Sequence, residues 1–337
     1  LAVFEAVRVV KVLLLAGGAL GLLALVYLLD GDSVGAVLAT ITGWQFLLVC
    51  CVYGISVVAD TLGWRFTLTG ERPPFHRLLA ARCAGEAVNV LTALGSVGGE
   101  AVKAWLLRRE ISYEASVPSL VLAKTTLIVA QTLLLVAGLL IAFFTGIAGP
   151  TLLTAMAALL VVQVLCTGGF VLVQNAGLAG RASWVLSWLG VRGQHQARRF
   201  DEALRHFYRR EWRSLLCSVG AHLAGCLLGA LEGFVILAAL GLPASLTAAT
   251  VLESLGTGVR FATFFIPASL GSLEGANAAA FTAFGWAASA GLAFTLVRRG
   301  RQAVWIVLGI AILLAMGVTR AQEGAPAGTG SPHATRS

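Results

Sequence analysis

Charged residues are scarce in this sequence. Only 12% of its 337 residues are Asp, Glu, Lys or Arg, whereas soluble domains carry about 25%. Apolar runs recur along the whole length. The composition therefore excludes a soluble globular protein and predicts an all-α polytopic membrane protein.

Cysteine and histidine motifs are also missing. The six cysteines show no Cys-x-x-Cys spacing and no accompanying histidine pattern, so neither disulfides nor a metal site is expected. His222 stands alone and is interpreted as a packing residue. No cofactor is predicted. A cleavable signal peptide is not expected either, because no small-residue cleavage site follows the first apolar run, residues 12–29.

The formal charge of +8 is concentrated in a few short segments. Such a pattern is a topology signal rather than a sign of nucleic-acid binding, and it places the N-terminus and residues 65–77 in the cytoplasm. Arg298, Arg299 and Arg301 are interpreted as a cytoplasmic loop before the last span. The predicted spans are 12–29, 44–64, 115–145, 152–173, 215–240, 278–297 and 303–318.

Two further regions, 78–107 and 243–275, are too polar for ordinary spans and are broken by glycines. The first begins and ends beside basic residues, so both of its ends are placed in the cytoplasm. This predicts a re-entrant helical hairpin, and the second region is predicted to be a hairpin that opens outside. Were 246–270 to cross fully, Arg298–Arg301 would lie outside, against the charge rule.

A short internal repeat supports this architecture. Leu94-Gly-Ser-Val-Gly-Gly-Glu100 is echoed by Leu270-Gly-Ser-Leu-Glu-Gly-Ala276. Paired broken segments in two halves are typical of transporters built as inverted repeats, with the binding site near the midplane. The prediction is one membrane domain, 1–319, with halves 12–174 and 215–318, seven spans and two hairpins. The tail, 320–337, is predicted to be disordered.

The segment that joins the halves, 175–213, holds eight arginines. Its apolar residues Phe200, Leu204, Phe207 and Tyr208 fit an amphipathic helix that lies on anionic lipid. An ordinary cytoplasmic loop fits equally well.

Charged side chains in the apolar segments are the candidate functional residues, because each costs about 2.5–3.5 kcal/mol at the bilayer centre. Nine of them, four basic and five acidic, are close to neutral as a set. Ion pairs that only pin helices would need fewer groups, so a polar, partly hydrated cavity is predicted. Asp60 is interpreted as interfacial. The candidate binding residues are Arg82, Glu86, Asn89, Ser96, Gly98, Gly99, Glu100, Lys103, Lys124, Glu232, Glu253, Arg260, Ser272 and Glu274.

The glycines have two interpretations. With Ser96 as a helix cap, the amides of Gly98 and Gly99 would form a seat for phosphate or carboxylate, and Ser272 holds the same place before Glu274. The alternative is that the glycines only permit close helix packing in lipid, and for the glycines alone this alternative is favoured.

Three motifs carry a family resemblance: Gly85-Glu-Ala-Val-Asn89, Gly98-Gly-Glu-Ala-Val-Lys103 and Phe265-Ile-Pro-Ala-Ser-Leu-Gly-Ser-Leu-Glu-Gly275. The chain resembles the flippase-like membrane domain of lysylphosphatidylglycerol synthases, and within that family the branch associated with hopanoid biosynthesis. The resemblance implies movement of lipids with charged or glycosylated headgroups across the bacterial inner membrane. It points to Arg82, Asn89, Gly98, Gly99, Glu100 and Lys103. Thr92 and Ala93 stand where relatives often have proline. The sequence holds no soluble aminoacyl-transferase domain, so synthase activity is not implied.

Three functions stay open at this stage. The first is a transporter of aminoacyl-phospholipid, hopanoid or polyprenyl-linked lipids, with membrane lipids as its partners. The second is a membrane enzyme, which would need an acid–base pair or a metal cluster. The third is a scaffold for a lipid-modifying synthase.

Overall fold

The computed structural model describes residues 27, 31–70, 72–91, 96–176 and 194–323. All regular structure in these ranges is helical, which confirms the predicted fold class. Five of the described helices are long and apolar enough to span a membrane. The predicted span 12–29 lies outside the described residues. Numbered in chain order, the helices are α1 (Gly31–Leu38), α2 (Gly43–Thr67), α3 (Phe75–Leu91), α4 (Ser96–Leu107), α5 (Tyr113–Thr145), α6 (Pro150–Ala176), α7 (Gln194–Arg210), α8 (Trp212–Ala239), α9 (Leu246–Ala262), α10 (Ser272–Ala283) and α11 (Ala288–Glu323).

Helices α2, α5, α6 and α8 coincide with four predicted spans, and local signals mark their ends. Thr42 and Gln45 form a capping box at the start of α2, which satisfies backbone N–H groups that the first turn leaves free. Ser112 caps α5, and Gly146 ends it with a positive φ of 65°, a conformation that glycine adopts without strain.

The two last spans were predicted incorrectly. Residues 288–323 form one continuous helix, and the chain turns before it, at Gly285, with a φ of 77°. Arg298, Arg299 and Arg301 therefore lie inside α11 rather than in a cytoplasmic loop. The cluster of arginines indicated a loop, but each of the three binds an acidic residue of another helix.

Each predicted hairpin region forms two short helices. The first arm of each hairpin, α3 or α9, has 17 residues, and the second arm, α4 or α10, has 12 residues. At 1.5 Å per residue they are about 26 and 18 Å long, less than the ~30 Å hydrocarbon core. Residues 92–95, at the first connection, lie outside the described part. The second connection has left-handed backbone at Ala268 and Ser269, a strained conformation for residues other than glycine.

The same order of helix lengths occurs twice: a long helix, a helix of 17 residues, a helix of 12 residues and another long helix. Helices α2–α5 form the first quartet and α8–α11 the second, with α6 and α7 between them. Ser96 and Ser272 each begin the 12-residue arm, so the sequence echo falls at the same place in both quartets. Helix α3 packs on α11, and α9 packs on α5. Each quartet thus holds its 17-residue arm against the last helix of the other. If each long helix crosses once, the quartets begin on opposite faces of the membrane, as an inverted repeat requires.

Helix α7 uses its apolar face to bind the protein, not lipid. Phe200, Leu204 and Phe207 are buried in a cluster with Leu106 and Leu107 of α4. The Tyr208 hydroxyl donates to Gln174 of α6 at 2.7 Å, and burial raises the pKa of this phenol. The lipid-lying interpretation is therefore wrong for this apolar face.

We expect Phe207→Ala to destabilise the protein in detergent by about 3–5 kcal/mol, because it leaves a cavity under α7. Thermal unfolding of the purified protein measures the effect. Arg209→Gln, on the exposed face of the same helix, is the matched control and should leave the midpoint unchanged. Equal midpoints for both variants and the wild type would contradict the packing described here.

Candidate functional site

Glu100 is the centre of the first group of charges. Its Oε1 lies 3.0 Å from Lys103 Nζ and 3.2 Å from Lys124 Nζ. Helix α4 carries Glu100 and Lys103 one turn apart, and α5 brings Lys124 across from them. The Glu100 and Lys103 side chains are 9% and 3% exposed, whereas that of Lys124 is 34% exposed.

A second chain of contacts joins three helices beside this group. Asp60 of α2 accepts from Arg82 of α3 at 2.7 Å, and its other oxygen lies 3.0 Å from His222 Nδ1 of α8. The Asp60 side chain is only 17% exposed, so it lies among protein side chains, and its predicted interfacial depth stays a prediction. Helix α2 continues past Trp64, and α3 and α8 pack against it and enclose the carboxylate. His222 packs as predicted, but it also binds Asp60.

Arg82 and Glu86 line an open cleft between α2, α3 and α11. The cleft has an empty volume of about 450 Å³, which includes space open to the outside, and Tyr53, Gln302 and Trp305 also line it. Glu86 is partly exposed and forms no ion pair with a described residue. A cation, an anion and aromatic rings thus share one accessible surface.

The second group of charges has buried carboxylates, although Arg260 in this group is 37% exposed. Glu253 of α9 binds Arg260 at 2.8 Å and also binds Arg298 of α11. Two further pairs join α11 to the second quartet: Arg301 lies 3.1 Å from Glu232 of α8, and Arg299 lies 2.8 Å from Glu274 of α10. The side chains of Glu232, Glu253, Glu274 and Arg298 are all less than 10% exposed.

Glycines of α8 make room for both groups. A Cβ at Gly225 would lie 2.7 Å from Asp60 Oδ1, one at Gly229 would lie 3.1 Å from the Glu253 carboxylate, and one at Gly233 would lie 3.2 Å from Arg298. These positions recur every four residues, on one face of the helix. The Gly229 carbonyl also accepts from Arg298 at 2.9 Å. Larger residues would push the ion pairs apart.

The two groups touch along α11. The Arg301 guanidinium stacks on the Tyr53 ring at 3.6 Å, within the range of a cation–π contact. Arg299, which binds Glu274, also donates to Gln302 at the edge of the cleft, at 3.2 Å. Charged residues among the predicted site residues thus form, with Asp60 and the arginines of α11, one polar band with two centres. Glu100 and Glu274 belong to different ion-pair sets, rather than facing each other across one chamber.

The predicted phosphate seat is not free in this structure. The Gly99 amide donates to Asn89 Oδ1 at 2.7 Å, so Asn89 occupies the position that an anion would take there. A Cβ at Gly99 would overlap the Gly85 carbonyl oxygen, which supports the packing interpretation of this glycine. The side chain of Ser96 lies outside the described residues, and Ser272 gives α10 no side-chain cap.

Sequence reasoning missed several residues of the band, namely Tyr53, Asp60, Arg298, Arg299, Arg301 and Gln302. A charge count would have helped, because Glu232, Glu253 and Glu274 needed more basic partners than Arg260 alone. Among the described residues no group of three or more His, Cys, Asp or Glu side chains is placed to hold a metal.

The fold and the band define a polytopic membrane protein whose charged interior is accessible from outside the bundle. Residues 9–311 match the family described as the lysylphosphatidylglycerol synthase TM region, so the chain belongs to this family. No curated protein and no solved structure matches the chain.

We expect Glu274→Gln and Arg299→Gln each to lower stability by about 3–5 kcal/mol, because each leaves one buried charge without its partner. The double variant should recover part of this loss, since it removes both charges. Thermal unfolding in detergent measures all three. Additive losses in the double variant would show that the pair does not act as a unit.

Proposed function

We propose that this protein transports lipids with a polar or charged headgroup across the bacterial inner membrane. The headgroup would enter the band while the acyl chains stay in the bilayer. Family membership supports a role with membrane lipid headgroups in general. Lipid transport is a more specific activity than family membership supports, and it is the activity that we propose.

The observation that carries the proposal is the accessible cleft with Arg82 and Glu86 on its wall. Charges that only pinned helices would be sealed, as Glu253 is. Arg82 presents a planar guanidinium that matches phosphate oxygens, and Glu86 has no ion pair with a described residue, so its carboxylate is available to an ammonium group. Lys124, with a third of its side chain exposed, adds a second cation close by.

A transporter accounts for the band better than an enzyme or a scaffold does. A scaffold needs no accessible charges at this depth. An enzyme needs a nucleophile, a metal or an acid–base pair next to a reacting bond, whereas the cleft offers groups that hold a headgroup by charge. We propose membrane lipids as the partners, and a lipid-modifying synthase as the source of the cargo.

The orientation in the membrane and the class of lipid are part of the same proposal. Arg65 at the end of α2, Arg72 and Arg77 beside the start of α3, and Arg209 and Arg210 at the end of α7 favour a cytoplasmic position for these helix ends. The N-terminus would then also be cytoplasmic, with residues 12–29 crossing once as the sequence predicts. Resemblance to the hopanoid-associated branch favours hopanoid, polyprenyl-linked or aminoacylated lipids as cargo.

Reconstituted vesicles test the proposal with a short-chain fluorescent phosphatidylglycerol and a membrane-impermeant quencher. We expect wild-type protein to move the label between leaflets, and Arg82→Gln and Lys124→Gln to slow this movement at least tenfold, because each removes a cation that binds phosphate. Arg199→Gln, which removes an exposed ion pair with Glu114, is the control. Equal rates for empty and protein-containing vesicles would contradict the proposal.

A further inference from the structure

The charges of the polar band do not cancel. Apart from the titratable ring of His222, the first group has three acidic and three basic side chains: Asp60, Glu86, Glu100, Arg82, Lys103 and Lys124. The second group has three acidic and four basic side chains: Glu232, Glu253, Glu274, Arg260, Arg298, Arg299 and Arg301. Among the described residues of the band, the second group thus carries one positive charge in excess. All its basic residues are arginines, which keep their proton at every working pH, so the excess is permanent.

The excess charge is located at Glu253, which binds one arginine with each of its oxygens. Arg298 is the enclosed member of the pair: its side chain is 8% exposed, donates to the Gly229 carbonyl and stacks on the Phe294 ring. Arg260 is 37% exposed. Its Nη2 donates to Glu253 at 2.8 Å, and the guanidinium has two further nitrogens that can donate. The excess charge of the second group therefore reaches the accessible surface at Arg260.

A glycine of α9 places this guanidinium beside the first turn of α10. A Cβ at Gly256 would lie 3.4 Å from Arg260 Nη1 and 3.7 Å from Leu273 Cδ1. The side chain of Arg260 therefore runs back along α9, as helical side chains do, and its nitrogens lie between α9 and the start of the 12-residue arm.

The two quartets differ at this place. Asn89 is the fifteenth residue of α3, and Arg260 is the fifteenth residue of α9. Asn89 supplies an acceptor oxygen to the amide of Gly99, the fourth residue of α4, whereas an arginine can only donate. Gly275, the fourth residue of α10, has open space where Gly99 is enclosed. The second quartet thus has donors and space where the first has an acceptor of its own, so an acceptor from outside the protein fits there.

We propose that Arg260 is a second phosphate-binding site, separate from the cleft at the first centre. A phosphate diester carries one negative charge, so its binding cancels the excess charge of the second group. Two of its oxygens match the parallel N–H groups of a guanidinium, a geometry that gives short, strong hydrogen bonds. The inference rests on the proposed function, to which it adds a headgroup position in the second half of the protein.

Calorimetric titration of the detergent-purified protein with dihexanoyl phosphatidylglycerol tests this site. We expect about two bound lipids per wild-type chain, one at each centre, and about one for Arg260→Gln, because glutamine has no charge to pair with the phosphate. Arg260→Lys keeps the charge and should keep the second lipid, with lower affinity because the paired N–H groups are lost. Arg199→Gln, which removes an exposed arginine outside the band, should match the wild type.

Thermal unfolding separates phosphate binding from a structural role of Arg260. Arg260→Gln leaves Glu253 paired with Arg298 and makes the second group neutral, so the unfolding midpoint without lipid should not fall. Loss of one bound lipid at an unchanged midpoint supports the site. Should the midpoint fall, Arg260→Lys decides: a second lipid retained by lysine supports the site, and its loss in both variants overturns recognition by charge.

Two further probes identify what the site recognises. Sodium phosphate that binds to the wild type and not to Arg260→Gln shows that the free anion suffices. Binding of the lipid alone shows that the acyl chains are also required, and both results agree with the site. Dihexanoylglycerol has the same chains without the phosphate, so its weaker binding to Arg260→Gln would overturn recognition by charge.

The number of bound lipids separates this inference from the proposed function. Equal numbers for the wild type and Arg260→Gln overturn the second site and leave transport through the first centre intact. A single wild-type site that Arg260→Gln removes supports the second site and contradicts headgroup binding in the cleft. No binding by the wild type overturns both.

Discussion

The contact of Glu253 with Arg260 and Arg298 illustrates the constraint on which the structure depends. A charge that leaves water for hydrocarbon must meet an opposite charge or be lost. Because Arg298, Arg299 and Arg301 each find an acidic partner on another helix, α11 can run through this level without a break. The same pairs tie α11 to α8, α9 and α10, so the packing of the second quartet and the neutrality of its interior depend on each other.

Close backbone approach makes this pairing possible. Glycines of α8 admit Asp60, Glu253 and Arg298 to within contact distance, and the exchange of α3 and α9 between quartets brings charges from both halves to one level. The two centres of the polar band nevertheless differ. Each centre has buried carboxylates and one partly exposed cation, Arg260 at 37% and Lys124 at 34%, but only the first lies beside the described cleft that Glu86 lines. We assign function to the first centre because a cleft opens beside it, with Arg82 and Glu86 on its wall.

Most helix positions were predictable from the sequence, and the predictions that failed did so for one common reason. Apolar run length located α2, α5, α6 and α8, and the glycine breaks located both pairs of short arms. Partners distant in the chain could not be seen. Glu253 and Arg298 are 45 residues apart, and Asp60 and His222 are 162 apart. Without these partners, Arg298 resembled a loop residue, and the binding of Asp60 to Arg82 and His222 could not be foreseen. Helix α7 was ambiguous because an apolar face does not reveal whether protein or lipid covers it.

The central claim is that water reaches charged residues inside the helix bundle, and cysteine labelling in native membranes tests it most directly. In a cysteine-free background, Val90→Cys lies on the cleft wall, and Leu165→Cys lies on the outer face of α6 with 69% exposure. A water-soluble thiol reagent needs a thiolate, which forms in water but not in lipid. The account predicts rapid modification at position 90 and none at position 165. Modification of neither residue would show that the cleft is dry, and would contradict it.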